Sequence, residues 1–472
     1  PYLLFYPDRN HDDIPDGPPE VHLSGFGLED THSIANSLKW GPDRWLYGAT
    51  GSTVTARVKV EQGNSGEVFP FFGQNIWRYD PKNHRFELFA EGGWNTFGVD
   101  FDSKGRLYSG TNGNLQSVYF VQGGYYQKSF GKHGPHTNPY TFGHFFGLPI
   151  EGEKVRLVHQ WVLYESGAIP SLSQHFVGSN SLANKVHALR IAPDGSTFKT
   201  VEIDPPVQTQ DKWFRPVHTV IGPDGAIYLS DWYDARITHV DPRDNWDRER
   251  GRIYRLRDAT RKPGYHLRMD RMDTEQLIAS LSDQNQWVRS TARRLLRDRK
   301  DEVVVSLLQE RLVNADARTA LEALWTLGQM KQLDEATLLQ SLKHPDPHVR
   351  LWSVRLMGDA SQTLSSAIYE VIMKMAKADT HPEVISQLAA SAQRLPSAQG
   401  YPLVQGLFQR EEWLSDPYIP QQIWWALESQ IRRQPEGILN LLETAEQWQH
   451  GLLRETLLSR ISRRLMAEQK ED

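Results

Sequence analysis

The sequence predicts a multidomain β + α chain: an incomplete, N-terminally truncated β-propeller followed by an α-solenoid of HEAT-like repeats. Three observations predict this. A strand–turn–strand unit recurs before residue 260, helix-opening motifs recur after it, and 472 residues exceed what one hydrophobic core usually organises. The expected domains are 1–260 for the propeller, with its first blade incomplete, and 261–472 for the helical repeats. Arg257 to Pro263 forms the junction.

The upstream repeat reads directly off the chain. Asn36-Ser-Leu-Lys-Trp-Gly-Pro-Asp-Arg-Trp-Leu-Tyr47 aligns with Gly98-Val-Asp-Phe-Asp-Ser-Lys-Gly-Arg-Leu-Tyr108 and with Val220-Ile-Gly-Pro-Asp-Gly-Ala-Ile-Tyr228. Each is a strand, a tight Pro-Asp-Gly-like turn and a strand, because Pro and Asp pre-set a turn and Gly accepts its positive φ. The tyrosines are 61 and 120 residues apart, one and two periods of roughly 60. A divergent unit is therefore expected between 130 and 205. Outer strand pairs follow the hairpins, as in Ile76–Asp80 with Phe86–Phe89 and Val186–Arg190 with Phe198–Val201, and Gly251–Leu256 reads as a further outer strand. Four antiparallel strands in series make a propeller blade, and about four units are too few for the usual ring. Residues 1–26 supply only an outer pair, and the chain opens at Pro1 inside a strand-like run. Missing N-terminal blades are the expectation.

Downstream, helix-like runs open at Asp283…Trp287-Val-Arg289, Ala317-Arg318, Asp346-Pro-His-Val-Arg350, Pro382-Glu-Val-Ile385 and Asp416-Pro-Tyr-Ile-Pro420. Spacings of 29, 32, 35 and 35 residues suit helix pairs stacked as HEAT-like repeats. Leu321–Leu327 and Leu351–Met357 carry apolar residues at helical spacing, the stripe that a packed helix buries. Trp325, Trp352, Trp424 and Trp425 are expected in that core.

Composition narrows the function. Net charge is −5, and no long basic run exists to hold a phosphate backbone, which argues against nucleic acid. With no cysteine, disulfides, thiolate metal sites, a cysteine nucleophile and c-type haem attachment are excluded for this chain, so no haem is expected on it. No apolar run of about 18 residues provides a transmembrane segment. Phosphate loops, nucleophile elbows and dinucleotide fingerprints are absent too.

Blade geometry locates the chemistry. In a propeller the start of the innermost strand and the end of the next share one face of the disc, where ligands usually bind. That rule joins His32 and Asn36 to Ala49-Thr50, Trp94-Asn95 to Thr111-Asn112, and Phe214-Arg215 to Asp231-Trp232-Tyr233. A histidine there can serve as a general base toward an alcohol, and an arginine can hold an anionic group. The same side chains could instead cap strands and satisfy loop backbone. The long segment Gly124–Ala183, with Tyr125, Tyr126, His133, His136 and His144, is expected to shape a substrate site. Its histidines lack compact metal-ligand spacing. Asp8, Asn10, Asp12 and Asp16 place oxygens at relative positions 1, 3, 5 and 9, a spacing that wraps Ca2+. The loop lacks the glycine at position 6 and the bidentate Glu at position 12, so a polar turn is the competing account.

Gly25-Phe-Gly-Leu-Glu-Asp-Thr-His32, Asn36–Gly48, Phe214–Tyr233 and His239…Gly251-Arg-Ile-Tyr-Arg255 together resemble the membrane-bound dehydrogenases of planctomycete-type bacteria, also called PVC-type haem-binding proteins. The helical region with Ile423-Trp-Trp-Ala-Leu-Glu428 fits the same family. Their propeller is similar to that of glucose/sorbosone dehydrogenases, which use pyrroloquinoline quinone (PQQ). The resemblance implies a periplasmic oxidoreductase acting on a sugar or polyol, with His32 taking the hydroxyl proton while hydride passes to PQQ. The mouth geometry adds Arg215 and Asp231 to the catalytic set and puts Asn36, Asn95, Asn112, Trp232 and Tyr233 around the cofactor. The resemblance also implies a calcium loop at Asp8, Asn10, Asp12 and Asp16, and a cytochrome c as electron acceptor. The chain departs from the family in lacking a Cys-x-x-Cys-His site. A non-catalytic glycan- or protein-binding scaffold is the alternative, and a propeller hydrolase or lyase a third.

Overall fold

The computed structural model describes residues 1–10, 12–29, 34–63, 66–112, 117–128, 134–153, 157–237, 243–260, 268–299, 301, 303–360 and 362–468. Five sheets occupy the first half and twelve α-helices the second among these residues. The first sheet orders Leu3–Phe5, Glu20–Ser24, Thr55–Val60 and Val68–Phe72; the second orders Ala35–Trp40, Leu46–Thr50, Asn75–Asp80, Arg85–Glu91 and Gly124–Tyr125. In the third, Leu107–Asn112 pairs on one edge with Thr96–Phe101 and on the other with Val118–Phe120 and Leu157–Val158. The fourth runs Trp161–Tyr164, His175–Asn180, Lys185–Asp194, Thr197–Gln208 and Ile150–Glu151, and the fifth Pro216–Ile221, Ile227–Asp231 and Arg252–Leu256.

The innermost strands Ala35–Trp40, Thr96–Phe101, Trp161–Tyr164 and Pro216–Ile221 lie against one another in succession. Trp161–Tyr164 is the inner strand of the unit expected between 130 and 205. The pair at residues 1–26 is not left alone. A hairpin inserted in the second unit, Thr55–Phe72, pairs through Thr55–Val60 with Glu20–Ser24 and completes the first sheet. Its alternation explains the docking: Ala56, Val58 and Val60 are buried while Thr55, Arg57 and Lys59 face water. The buried row packs on Trp77 and Phe86 of the second sheet, as period-two patterning requires.

The recurrent turns share one chemistry. Asp43, Asp102 and Asp224 each accept the backbone amide two residues on, from Trp45, Lys104 and Ala226. Tyr47 and Tyr228 then donate to Asp43 and Asp224, and Arg78, Arg106 and Arg255 pair with the three aspartates.

The helices form two layers. One contains Gln286–Arg299, Ala317–Met330, Pro347–Asp359, Pro382–Ala392 and Ile419–Arg433; the other contains Val303–Asn314, Glu335–Ser341, Ser366–Ala378 and Ser397–Phe408. Asp316 and Asp346 cap their helices through backbone amides, each cap being worth about 1 kcal/mol. The repeat is visible in two arginines. Arg289 and Arg350 each give one nitrogen to two carbonyls of the preceding loop and another to an acid of the next repeat, Glu322 or Asp379. Trp325, Trp352, Trp424 and Trp425 are buried.

The two halves share one hydrophobic core, which runs from Tyr47 and Phe101 to Leu324 and Trp425. The first helical layer docks on the sheet end that carries the turns. Gln329 donates to the Pro42 carbonyl, the Trp352 indole to Lys104 and Asn285 to Gly222. Gly105, at φ +72°, lies under Trp352: a Cβ there would sit 2.4 Å from the indole. Ion pairs complete the seam. Arg78, fully buried, meets Asp43, Glu87 and Asp359, while Arg106 grips both oxygens of Glu383. Burial alone would raise the Asp359 carboxyl, but Arg78 and Arg394 hold it well below the carboxylate range. No helix among the described residues is long and apolar enough to cross a membrane.

Candidate functional site

The inner strands start at the opposite end of the sheets. Strand pairing puts Asn36 opposite Ala49, Thr96 opposite Thr111, and Pro216 opposite Asp231. Backbone bonds repeat the arrangement: the Asn112 amide donates to Asn95, and the Trp232 amide to Arg215. Neighbouring units are stitched together by side chains. Asn36 Nδ2 donates to the Thr96 carbonyl (3.3 Å), the Asn95 carboxamide oxygen accepts the Ser52 amide (2.7 Å), and Arg215 donates to the Ser181 carbonyl (3.0 Å).

These bonds define what each expected residue can do. Asn36 is spent on Ile34, Thr96 and Ser37. Arg215 also donates to the carbonyls of Asp234 and Ala235. It has no carboxylate within ion-pair distance among the described residues, and burial lowers its pKa. Asp231 accepts the amides of Arg215 and Tyr233 on Oδ1. Trp232 is half exposed (49%), edge-on to Trp246. Tyr233 donates to Asp211 and lies under the Arg252 guanidinium. His32 lies outside the described residues.

Three second-strand ends carry buried polar atoms with no partner among the described residues: Thr50 Oγ1, Asn112 Oδ1 and Asp231 Oδ2. Buried polar atoms are normally satisfied, and these three recur at equivalent positions of successive units. The fourth equivalent, Asn180, is spent on its own turn and on His187.

Sequence reasoning missed the titratable residues along the inner strands. Lys39 and Asp100 form an ion pair at 2.7 Å, with His218 close enough to feel both. His159, two residues before Trp161–Tyr164, stacks on Phe97 with ring centroids 5.5 Å apart. Its Nε2 faces the Ser181 hydroxyl at 3.2 Å. Burial pushes His159 down to about 4, and His218 adds to the shift. Burial and Lys39 also lower His218, against Asp100, although its side chain remains exposed. Both imidazoles are therefore neutral near pH 7. The repeat period leads to Gln160, which precedes its strand as Asn95 and Arg215 precede theirs, and so only to the neighbour of His159.

Other expected residues are engaged elsewhere. The 124–183 segment serves the seam: Tyr125 packs on His136 and Trp425, while Trp424 and Trp425 donate to Tyr140 and Thr141. Tyr126 donates to the Tyr119 carbonyl, His144 sits edge-on to Phe146, and His133 is outside the described residues. In the 8–16 loop, Asp8, Asn10, Asp12 and Asp16 accept the loop's own amides, from Asp12, Asp13, Ile14 and Arg9. Their carboxylates do not gather as a three-ligand set; the one such set among the described residues is His348, His381 and Glu383. There Arg106 already holds both Glu383 oxygens and lies 3.0 Å from His348 Nε2, so the cluster is an ion pair within the seam.

Residues 1–260 match the family described as Domain of unknown function (DUF7133), and the chain belongs to that family. No curated protein matches. Among solved structures, an oxidoreductase (glucose dehydrogenase) from Thermus thermophilus is similar at 13% identity and a TM-score of 0.31, over 51% of this chain and 88% of that one. The PQQ-bound aldose sugar dehydrogenase of Streptomyces coelicolor is similar at 17% identity and a TM-score of 0.31, over 54% of this chain and 70% of that one.

Proposed function

We propose that the chain is a quinoprotein-like oxidoreductase of the periplasm, built on a propeller with a HEAT-like array, that oxidises a sugar or polyol and passes electrons to a cytochrome c. The observation that carries the reading is the neutral pair His159 and His218 beside Asp100 and Lys39 on adjoining inner strands, below a mouth with three orphaned polar atoms. The family resemblance of the Phe214–Tyr233 stretch supports it.

The mouth residues fit a planar, anionic quinone. Arg215 is a cation with no carboxylate partner among the described residues, whose two remaining N–H groups suit one carboxylate, and Trp232 offers an exposed face for a ring. PQQ, when bound, supplies the hydride acceptor. This chain supplies the rest. A neutral imidazole takes the hydroxyl proton. His32 is the base that the sequence selects; His218, neutral and exposed with Asp100 beside it to stabilise its cation, is the base the described residues offer. Because the 8–16 carboxylates do not converge, no step involves calcium.

Dye reduction over a panel of sugars and polyols, with PQQ added, tests the reading. Turnover is expected to need PQQ, and to be lost in His32→Ala or His218→Ala while PQQ still raises the melting temperature. Absence of turnover in the unaltered protein, with no thermal shift from PQQ, overturns it in favour of a glycan- or protein-binding scaffold. That second reading is favoured by Asn36 and Asn95, whose bonds to the neighbouring units are with backbone.

A further inference from the structure

The far ends of the inner strands open on a groove of about 1340 Å³ between the sheets and the first two helices of the docking layer, Gln286–Arg299 and Ala317–Met330. Its charges do not cancel. Four of its acids are neutralised: Asp100 by Lys39, Asp102 by Arg106, Asp298 by Arg297, and Glu322 by Arg289 and Arg293. The fifth, Asp301, caps the next helix through the Val303 amide and accepts the Thr274 hydroxyl. Lys82, Arg294 and Lys331 line the same groove, are exposed, and have no ion-pair partner among the described residues. A chain of net charge −5 thus concentrates uncompensated positive charge in this groove.

An aromatic face accompanies the cations. Trp40, at the end of the first inner strand, lines the groove with 56% of its surface exposed, unlike the buried tryptophans of the helical core. Trp287 lines it too, half-buried. Exposed indoles stack on the apolar faces of sugar rings, and separated cations meet carboxylates along a chain. We propose that this groove binds an acidic oligosaccharide, with carboxylates on Lys82, Arg294 and Lys331 and a sugar face on Trp40. Asp100 and Lys39, which flank His218, also line this groove, but binding here does not depend on oxidation at the mouth.

Calorimetric titration of the whole chain with an oligogalacturonide, and with a maltooligosaccharide of equal length, tests it without PQQ. The acidic ligand is expected to bind at least about tenfold more tightly, with affinity falling as salt rises. Arg294→Ser with Lys331→Ser should weaken it about tenfold, each lost partly exposed charge contributing under about 1 kcal/mol. Trp40→Ala should weaken both ligands. His218→Ala should change neither, which separates this result from a failure of the dehydrogenase reading. These groove side chains are exposed, so unchanged melting temperatures are expected and will show that the variants fold. Equal affinity for the neutral chain, affinity unmoved by the serine pair, or tighter binding of a single-stranded oligonucleotide would overturn the proposal.

Discussion

The two ends of the sheets use the same residue types for opposite purposes. At the turn end, aspartates and arginines meet one another: Arg78 meets three carboxylates, and each turn aspartate meets both an amide and an arginine. At the mouth, polar side chains hold backbone from one unit to the next, and three of their atoms are left unmatched. Polar residues in a sheet protein are thus not informative by type. What distinguishes structure from a candidate site is whether their bonding capacity is used up.

This contrast can be broken by substitution. The largest effect is expected for Arg78→Ala, which strands Asp43, Glu87 and Asp359 at the seam. Removing one partner from a buried ion network costs about 3–5 kcal/mol, measurable as a shift in the urea midpoint at constant slope. A loss below about 1 kcal/mol would mean that the seam is not held by this network. Trp352→Ala comes next, at about 3–5 kcal/mol from a cavity of this kind. It removes the indole bond to Lys104 and the ring that Gly105 accommodates. Gly105→Ala should be destabilising in the unaltered protein and less so in that variant, because the steric conflict is gone while the positive φ remains.

A smaller effect concerns pH. Burial alone would lower His348, but its contacts with Asp346 and Glu383 raise it above its ordinary 6.5. A histidine with a raised folded pKa stabilises fully below its unfolded value, and that contribution is lost as pH rises through the folded value. Unfolding at about pH 6 and about pH 8 should therefore show a decline that His348→Gln removes. The carboxylates act at the other extreme: Asp346, depressed to about 2 although burial opposes it, contributes above its unfolded value and stops as pH falls through about 2. The smallest effect is expected at the mouth. Thr50→Val replaces an orphaned hydroxyl with its apolar isostere and should leave stability within about 1 kcal/mol, or improve it. A marked loss would show that this oxygen is already matched.

Much of the fold was legible because local chemistry set it. The Pro-Asp-Gly turns and their tyrosines announce hairpins, and Asp-Pro before an apolar stripe announces a helix. Where the link is not local, legibility fails. Trp161–Tyr164 escaped because its connection to His175–Asn180 runs through a short 3-10 turn at Pro170–Leu172 rather than a tight turn. The pairing of Thr55–Val60 with Glu20–Ser24 depends on register across an intervening hairpin. For the site, pairing rules placed Asn36, Asn95, Arg215 and Asp231 at one end, yet which of their atoms were spent depended on neighbouring units. His218 was hidden because an isolated histidine in a strand carries no pattern.

The union of Arg78 with Asp359 also imposes a timetable. The two are 281 residues apart in sequence, and a ribosome adding about 5–20 residues per second needs about 14–56 s to deliver the second after the first. For that interval the nascent first half carries a cation whose native lodging has not yet been made. The sheets can form their hairpins early, but the seam is the last part of the molecule to close, and whatever guards the growing chain must guard it there.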